Sequence, residues 1–161
     1  MNKRQRIDGR IFSSLRPDLT QTENFPMHMF CDALRRFTDE YLRAAVVFTA
    51  EGESSAVANM SLEGVAYTIR LMVQYAGEGS VLNIKLSLGE HMTLDVEFPR
   101  GLPSFEDLSV IAAAGRSAGL HFEARGNRVI FRTRLSHTGK ISVYAKGTNK
   151  LYDALLKIFF E

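Results

Sequence analysis

Two stretches of strict alternation between apolar and polar residues constrain the fold of this chain most strongly. The first runs through residues 82–88 and the second through residues 94–98, each with an apolar side chain at every second position. Gly89 and Glu90 lie between them, which favours a hairpin connection. Because successive side chains of a strand point to opposite faces of a sheet, this period predicts strands that bury one face only.

The second stretch leads directly into the segment around which the rest of the chain is organised. In residues 94–119 a strand ends at Phe98, a short turn containing Pro99 and Gly101 follows, and a helix begins near Ser104. A glycine-bearing turn between a strand and a helix is a place where a phosphate group can bind. What this turn contains therefore bears directly on function.

Helical and strand patterns elsewhere complete the predicted architecture. Apolar residues at helical spacing predict helices over residues 25–43, 62–76, 104–119 and 149–160. Further strands are predicted over residues 45–49, 120–124, 129–135 and 141–145. Together these elements predict an α+β fold, a two-layer α/β sandwich in which helices cover one face of a mixed β-sheet.

The chain has 161 residues, a length typical of one domain. Residues 1–24 carry Pro17 and a polar run, and we expect them to form an N-terminal arm. Residues 25–161 are expected to form the single sandwich domain, with its core in residues 45–135. The helix over residues 25–43 and a strand and helix over residues 140–160 would be additions to that core.

Composition excludes several classes of protein. A net charge of +2 gives no reason to expect nucleic-acid binding, and no apolar run is long enough for a membrane span. Cys31 is the only cysteine, so the chain cannot form an internal disulfide. With no secretory signal in the first residues, these features predict a protein of the cytoplasm.

From residue 45 to residue 135, the order and spacing of the elements resemble the histidine-kinase-like ATPase fold, the GHKL superfamily. Leu62–Ala76 stands where that family has the helix with its asparagine box, and the hairpin over residues 81–98 matches the strands that follow. Gly101-Leu102-Pro103 is similar to the tail of the family's glycine-rich turn. Residues 118–120 and 126–135 resemble its helix end and closing hairpin.

The resemblance implies an ATP site, and this chain departs from it at each motif. Leu71 stands where the family has a magnesium-binding asparagine, although Mg²⁺ takes oxygen ligands. Phe98 and Pro99 stand where it has the aspartate that binds adenine, and only Gly101 remains of the glycines in the turn. The segment before Ser104 is too short for a lid. We therefore expect a degenerate site whose vestigial positions are Leu71, Arg100, Gly101 and Arg116.

No other catalytic or metal-binding arrangement is predicted. The four histidines are scattered along the chain without a neighbouring carboxylate or thiol at ligand spacing. His28 has the alternative interpretation of a phosphoacceptor, but Met29-Phe30-Cys31 follows it in place of the acidic residue and proline that are usual there. Cys31 falls on an apolar helical stripe and is expected in the core.

Two surfaces are candidates for contact with another protein. Lys85, Arg128, Arg132 and Arg134 are predicted on one sheet face, either as a solvated surface paired with Asp95 or Glu97, or as a docking surface for an acidic partner. The helix over residues 25–43 either packs on its own domain or forms a homodimer with its copy.

Two functional hypotheses follow from the sequence. The first, which we favour, is a non-catalytic domain that acts by protein contact in bacterial signalling or regulation and needs no cofactor. The second is an enzyme, a divergent ATPase or protein kinase that binds Mg-ATP through residues around Arg100, Gly101 and Arg116.

Overall fold

The structure, a computed structural model, describes residues 21–138 and 147–161. Its strands are β1 (Glu23–Pro26), β2 (Val46–Glu51), β3 (Val57–Met60), β4 (Leu82–Leu88), β5 (His91–Glu97), β6 (His121–Arg125) and β7 (Arg128–Arg134). Its helices are α1 (Met27–Tyr41), α2 (Leu62–Ala76), α3 (Phe105–Ser117) and α4 (Lys150–Phe160). The strand predicted over residues 141–145 lies outside the described residues.

Five strands form one mixed sheet in the order β2-β4-β5-β7-β6. β2 pairs with β4 in parallel, while the other neighbours are antiparallel. The hairpin of β4 and β5 confirms the connection predicted at Gly89 and Glu90. The sheet and its helices confirm the predicted α+β fold.

One face of this sheet is buried under the helices. Eight apolar residues of the alternating strands point to that face, where they are 4% exposed or less: Leu82, Ile84, Leu86, Met92, Leu94, Val96, Val129 and Phe131. The residues between them, which are polar apart from Ile130, point to the opposite face. No helix or strand described in residues 21–138 and 147–161 lies over that face, which we call the open face.

A second, two-stranded sheet was not predicted. β1 and β3 pair antiparallel, with Asn24 opposite Asn59. Each strand has only four residues, too few for an alternating pattern to be recognised. Glu23 and Asn24, which were expected in the arm, therefore belong to a strand, and the Asn24 side chain accepts a hydrogen bond from Asn59 instead of capping a helix (3.0 Å).

α1 begins at Met27, with Pro26 as its N-cap and no capping hydrogen bond from a side chain. Its apolar stripe is buried within the same chain, where α1 packs on α4 and β2. Of the two alternatives for this helix, the structure therefore shows packing on its own domain. The exposed surface of α1 is largely polar. Cys31, on the side of the stripe, is half-buried against the core.

α3 lies unusually close to the sheet. A Cβ atom added at Gly115 would lie 2.1 Å from Cε1 of Phe131, a completely buried side chain of β7. Only a residue without a side chain permits this approach. The helix is rich in Ala and Gly, and Ala112, Ala114 and Ala118 are buried beside Gly115. These small side chains also allow the helix to pack close to the sheet.

We predict that Gly115→Ala destabilises the protein by about 1–3 kcal/mol, since the added methyl group must displace Phe131 or the helix. Urea unfolding monitored by circular dichroism measures the change. Gly89→Ala is the matched control, because its new methyl group would meet no atom within 4 Å. Equal stability of the two variants would contradict the close packing of α3.

Candidate functional site

The turn between β5 and α3 has the geometry of a tight reverse turn. The Gly101 N–H donates a hydrogen bond to the Phe98 carbonyl oxygen (2.9 Å), with Pro99 at the second position of the turn. Gly101 has a φ of 100°, which residues with a side chain rarely adopt. The backbone of the turn therefore explains this glycine without any bound phosphate.

Phe98 fixes the turn to the core. Its side chain is 2% exposed, and its N–H donates to the carbonyl oxygen of Asn127 (2.9 Å). The Asn127 side-chain amide donates in return to the Phe98 carbonyl oxygen (3.2 Å). Asn127 lies in the hairpin between β6 and β7, so the two turns hold each other at one edge of the domain.

Leu71 lies on α2 with its side chain 5% exposed in the apolar core. One turn further along this helix, burial and the nearby carboxylate of Asp107 raise the pKa of Tyr75. Asp107 is in the first turn of α3, so α2 and α3 approach each other directly at this end. Apolar packing thus occupies the position where the resemblance placed a magnesium ligand.

The two arginines of the predicted vestigial site lie far apart. Arg100 is exposed next to Gly79, where an added Cβ atom would be 3.9 Å from its Nη1 atom. Arg116 is in the last turn of α3, and its guanidinium carbon lies 5.3 Å from the centroid of the Phe122 ring. Most of α3, from Phe105 to Gly115, lies between the two positions, a length of about 17 Å along the helix axis. The structure therefore does not bring Arg100 and Arg116 together.

His28 and Cys31 lie on one wall of an open cleft, opposite residues 52–55 and Leu88. They are three residues apart on α1, and Glu53 is the carboxylate across the cleft. Within residues 21–138 and 147–161, no three histidine, cysteine or carboxylate side chains are grouped closely enough to hold a metal ion. This cleft does not include Leu71, Arg100, Gly101 or Arg116.

All four predicted basic residues lie on the open face. Lys85 forms an ion pair with Glu51 of the neighbouring strand β2 (3.1 Å). Arg128 donates two hydrogen bonds to Asp95, with its Nε atom 3.0 Å from Oδ1. This bidentate contact raises the pKa of Arg128, and it confirms the expected cross-strand pairing with Asp95.

Arg132 and Arg134 lie toward the other end of β7. Glu123 accepts a hydrogen bond from Arg125. Arg132 forms a longer ion pair with the same carboxylate, with its Nη2 atom 3.9 Å from Oε1. The hydrogen bond from Arg125, with the positive charges around it, lowers the pKa of Glu123. Arg134 is exposed and forms no ion pair with any described residue.

Sequence reasoning did not find the roles of Glu51 and Glu123. Glu51 reaches Lys85 because β2 pairs with β4 in parallel, a neighbour relation that cannot be read from the order of the strands. Alternation along β6 does place Glu123 on the same face as Arg125. Its position next to Arg132 depends on the register of β6 and β7, which pairs His121 with Arg132.

No protein-family model matches the chain, and no curated protein matches it. Several solved structures do match. The Acinetobacter baumannii histidine kinase AdeS matches with 17% identity and a TM-score of 0.45, and the match covers 80% of this chain and 72% of AdeS. The chain is similar to histidine kinases. The catalytic domain of histidine kinase ThkA matches with 13% identity and a TM-score of 0.47, covering 73% of this chain and 98% of the other.

The cytoplasmic segment of histidine kinase QseC matches with 16% identity and a TM-score of 0.45, covering 85% of this chain and 97% of its own. All three structures are of histidine kinases. Few residues are shared, so we interpret the site from this chain alone. Among the helices of residues 21–138 and 147–161, none is long and apolar enough to cross a membrane.

We predict that Leu71→Asn lowers the free energy of unfolding by about 3 kcal/mol, because it removes buried apolar surface and leaves an amide without partners. Thermal and urea unfolding measure the loss. Gln74→Asn, at an exposed position of the same helix, is the control and should be close to neutral. A stable Leu71→Asn variant that gains Mg-ATP binding would show that the position is a usable ligand site.

Proposed function

We propose that this chain is a non-catalytic module with the fold of a histidine kinase ATPase domain, and that it acts by protein contact in bacterial signalling or regulation. The observation that supports this most directly is the burial of Leu71 and Phe98. Their side chains fill the core at the two positions where the resemblance implies the magnesium and adenine ligands.

The chemistry of nucleotide binding supports the same conclusion. Mg²⁺ requires oxygen ligands, and leucine supplies none. A buried phenylalanine offers no acceptor to an adenine amino group. Arg100 lies in the turn before α3 and Arg116 in the last turn of that helix, a separation that does not favour joint binding of one triphosphate.

A second candidate function is a divergent ATPase or kinase. The observation that favours it is Arg100, which is exposed beside Gly101 and whose guanidinium lies near Gly79. An arginine beside a glycine-bearing turn can bind phosphate oxygens. This candidate requires Mg-ATP as cofactor, while the module that we favour requires none.

For the module, the contact surface that we propose is the open face. It carries alternating charged and polar side chains on at least four adjacent strands. Because the apolar stripe of α1 is already used inside the chain, we favour this face over a homodimer through residues 25–43. The partner would be another signalling protein of the cytoplasm.

We predict that calorimetric titration with Mg-ATP and with ADP gives no saturable heat. In a parallel thermal shift assay, a ligand at ~100 times its dissociation constant would add about 2.7 kcal/mol of stability, and no such gain is expected. A known ATP-binding histidine kinase domain serves as the positive control. Saturable micromolar binding that is lost in Arg100→Ala would contradict the module and support the enzyme.

A further inference from the structure

The basic residues of the open face fall into two groups that differ in their pairing. Arg128, at the start of β7, is paired with Asp95, and Lys85 on β4 is paired with Glu51, while Glu97 accepts a hydrogen bond from the Asn83 side chain (3.0 Å). The charges of these residues are therefore largely satisfied within the sheet.

The other end of β7 is different. Arg132 lies between Thr93 and His121 across the sheet, and Arg134 lies opposite His91. We call Arg132, Arg134, His91 and His121 the basic corner. All four residues are exposed in the structure.

Carboxylates are scarce at the basic corner. Glu123 is shared with Arg125, which holds it by a hydrogen bond, and it lies at the limit of an ion pair with Arg132. Glu90 precedes His91 in the hairpin turn and forms no ion pair with either arginine of the corner. Within the part of the chain that the structure describes, Arg134 thus has no carboxylate partner, and Arg132 has only Glu123 at 3.9 Å, which Arg125 already holds.

We propose that the basic corner binds an acidic, extended segment of a partner protein, with carboxylates at every second residue. This inference rests on the proposed function and names the site and partner chemistry within the open face. Arg132 and Arg134 are two residues apart on one strand, about 6.6 Å, which equals the spacing of alternate side chains in an extended segment. Each guanidinium can bind one carboxylate in a bidentate manner.

The charge pattern of the whole face favours a short acidic segment over a broad polyanion. Glu51, Asp95, Glu97 and Glu123 lie on the same face and would repel a nucleic acid or an anionic membrane laid across it. A short segment at the corner would approach mainly Glu123, which already accepts a hydrogen bond from Arg125, and charges more than about 10 Å away are screened at physiological salt.

Fluorescence anisotropy with a labelled peptide of alternating aspartate and serine tests the proposal on the full chain. We expect saturable binding that weakens as salt is raised, and no binding of the matched asparagine–serine peptide. Arg132→Ala/Arg134→Ala should lower the affinity about tenfold, because exposed ion pairs contribute up to about 1 kcal/mol each. Lys85→Ala/Arg128→Ala, which removes the same charge from the paired group, should change it by less than about twofold.

Charge reversal keeps the test independent of folding effects. Arg132→Glu/Arg134→Glu should bind a labelled peptide of alternating lysine and serine, which the wild type does not bind. Absence of aspartate-peptide binding by the wild type would overturn the proposal, as would equal losses in the two double alanine variants. Preference for vesicles of equal parts phosphatidylcholine and phosphatidylserine, lost in Arg132→Ala/Arg134→Ala, would assign the corner to a membrane instead.

The proposed non-catalytic function and the basic corner can be refuted separately. Mg-ATP binding by a chain that also binds the aspartate peptide would refute the proposed non-catalytic function and leave the basic corner in place. A chain that binds neither ligand would refute the basic corner alone.

Discussion

The contact between Gly115 and Phe131 is the constraint on which the arrangement of this domain depends. α3 follows β5 after a short turn, and its backbone at Gly115 lies directly on the Phe131 ring. Phe131 is completely buried, and its ring is packed on that of Phe122 with 5.6 Å between centroids. The helix therefore closes the apolar layer over β6 and β7.

The same constraint determines what the turn before α3 can do. With the helix held on the sheet, Phe98 enters the core and Gly101 completes a hydrogen-bonded turn. α2 and α3 then meet near Tyr75 and Asp107. In the module that we propose, this segment acts as a structural connection, and the open face of the sheet provides the polar contact surface.

The sequence was sufficient for the elements with strong periodicity. Alternation located β4, β5 and β7, and helical spacing located α2, α3 and α4, because each buries one regular stripe. It did not locate β1 and β3, whose four residues each pair at a distance in the chain. Hydrogen bonds between such short segments depend on the tertiary fold and leave no periodic signal.

The same limit applies to the candidate site. Alternation correctly placed Lys85 and Arg128 on one face, and it also placed Arg132 and Arg134 there. It could not separate the paired residues from the basic corner, because that distinction depends on which strands are neighbours and in which register. The burial of Leu71 and the separation of Arg100 from Arg116 both required the positions of α2 and α3 in the structure.

Amide hydrogen exchange with and without Mg-ATP tests the central claim most directly. If α3 is held on the sheet and the turn before it is structural, the amides of α3 and β7 exchange slowly, close to the rate of global unfolding, and Mg-ATP changes neither. Rapid exchange in residues 99–108 that slows when Mg-ATP is added would contradict this account, since it would show a mobile segment that closes on a nucleotide.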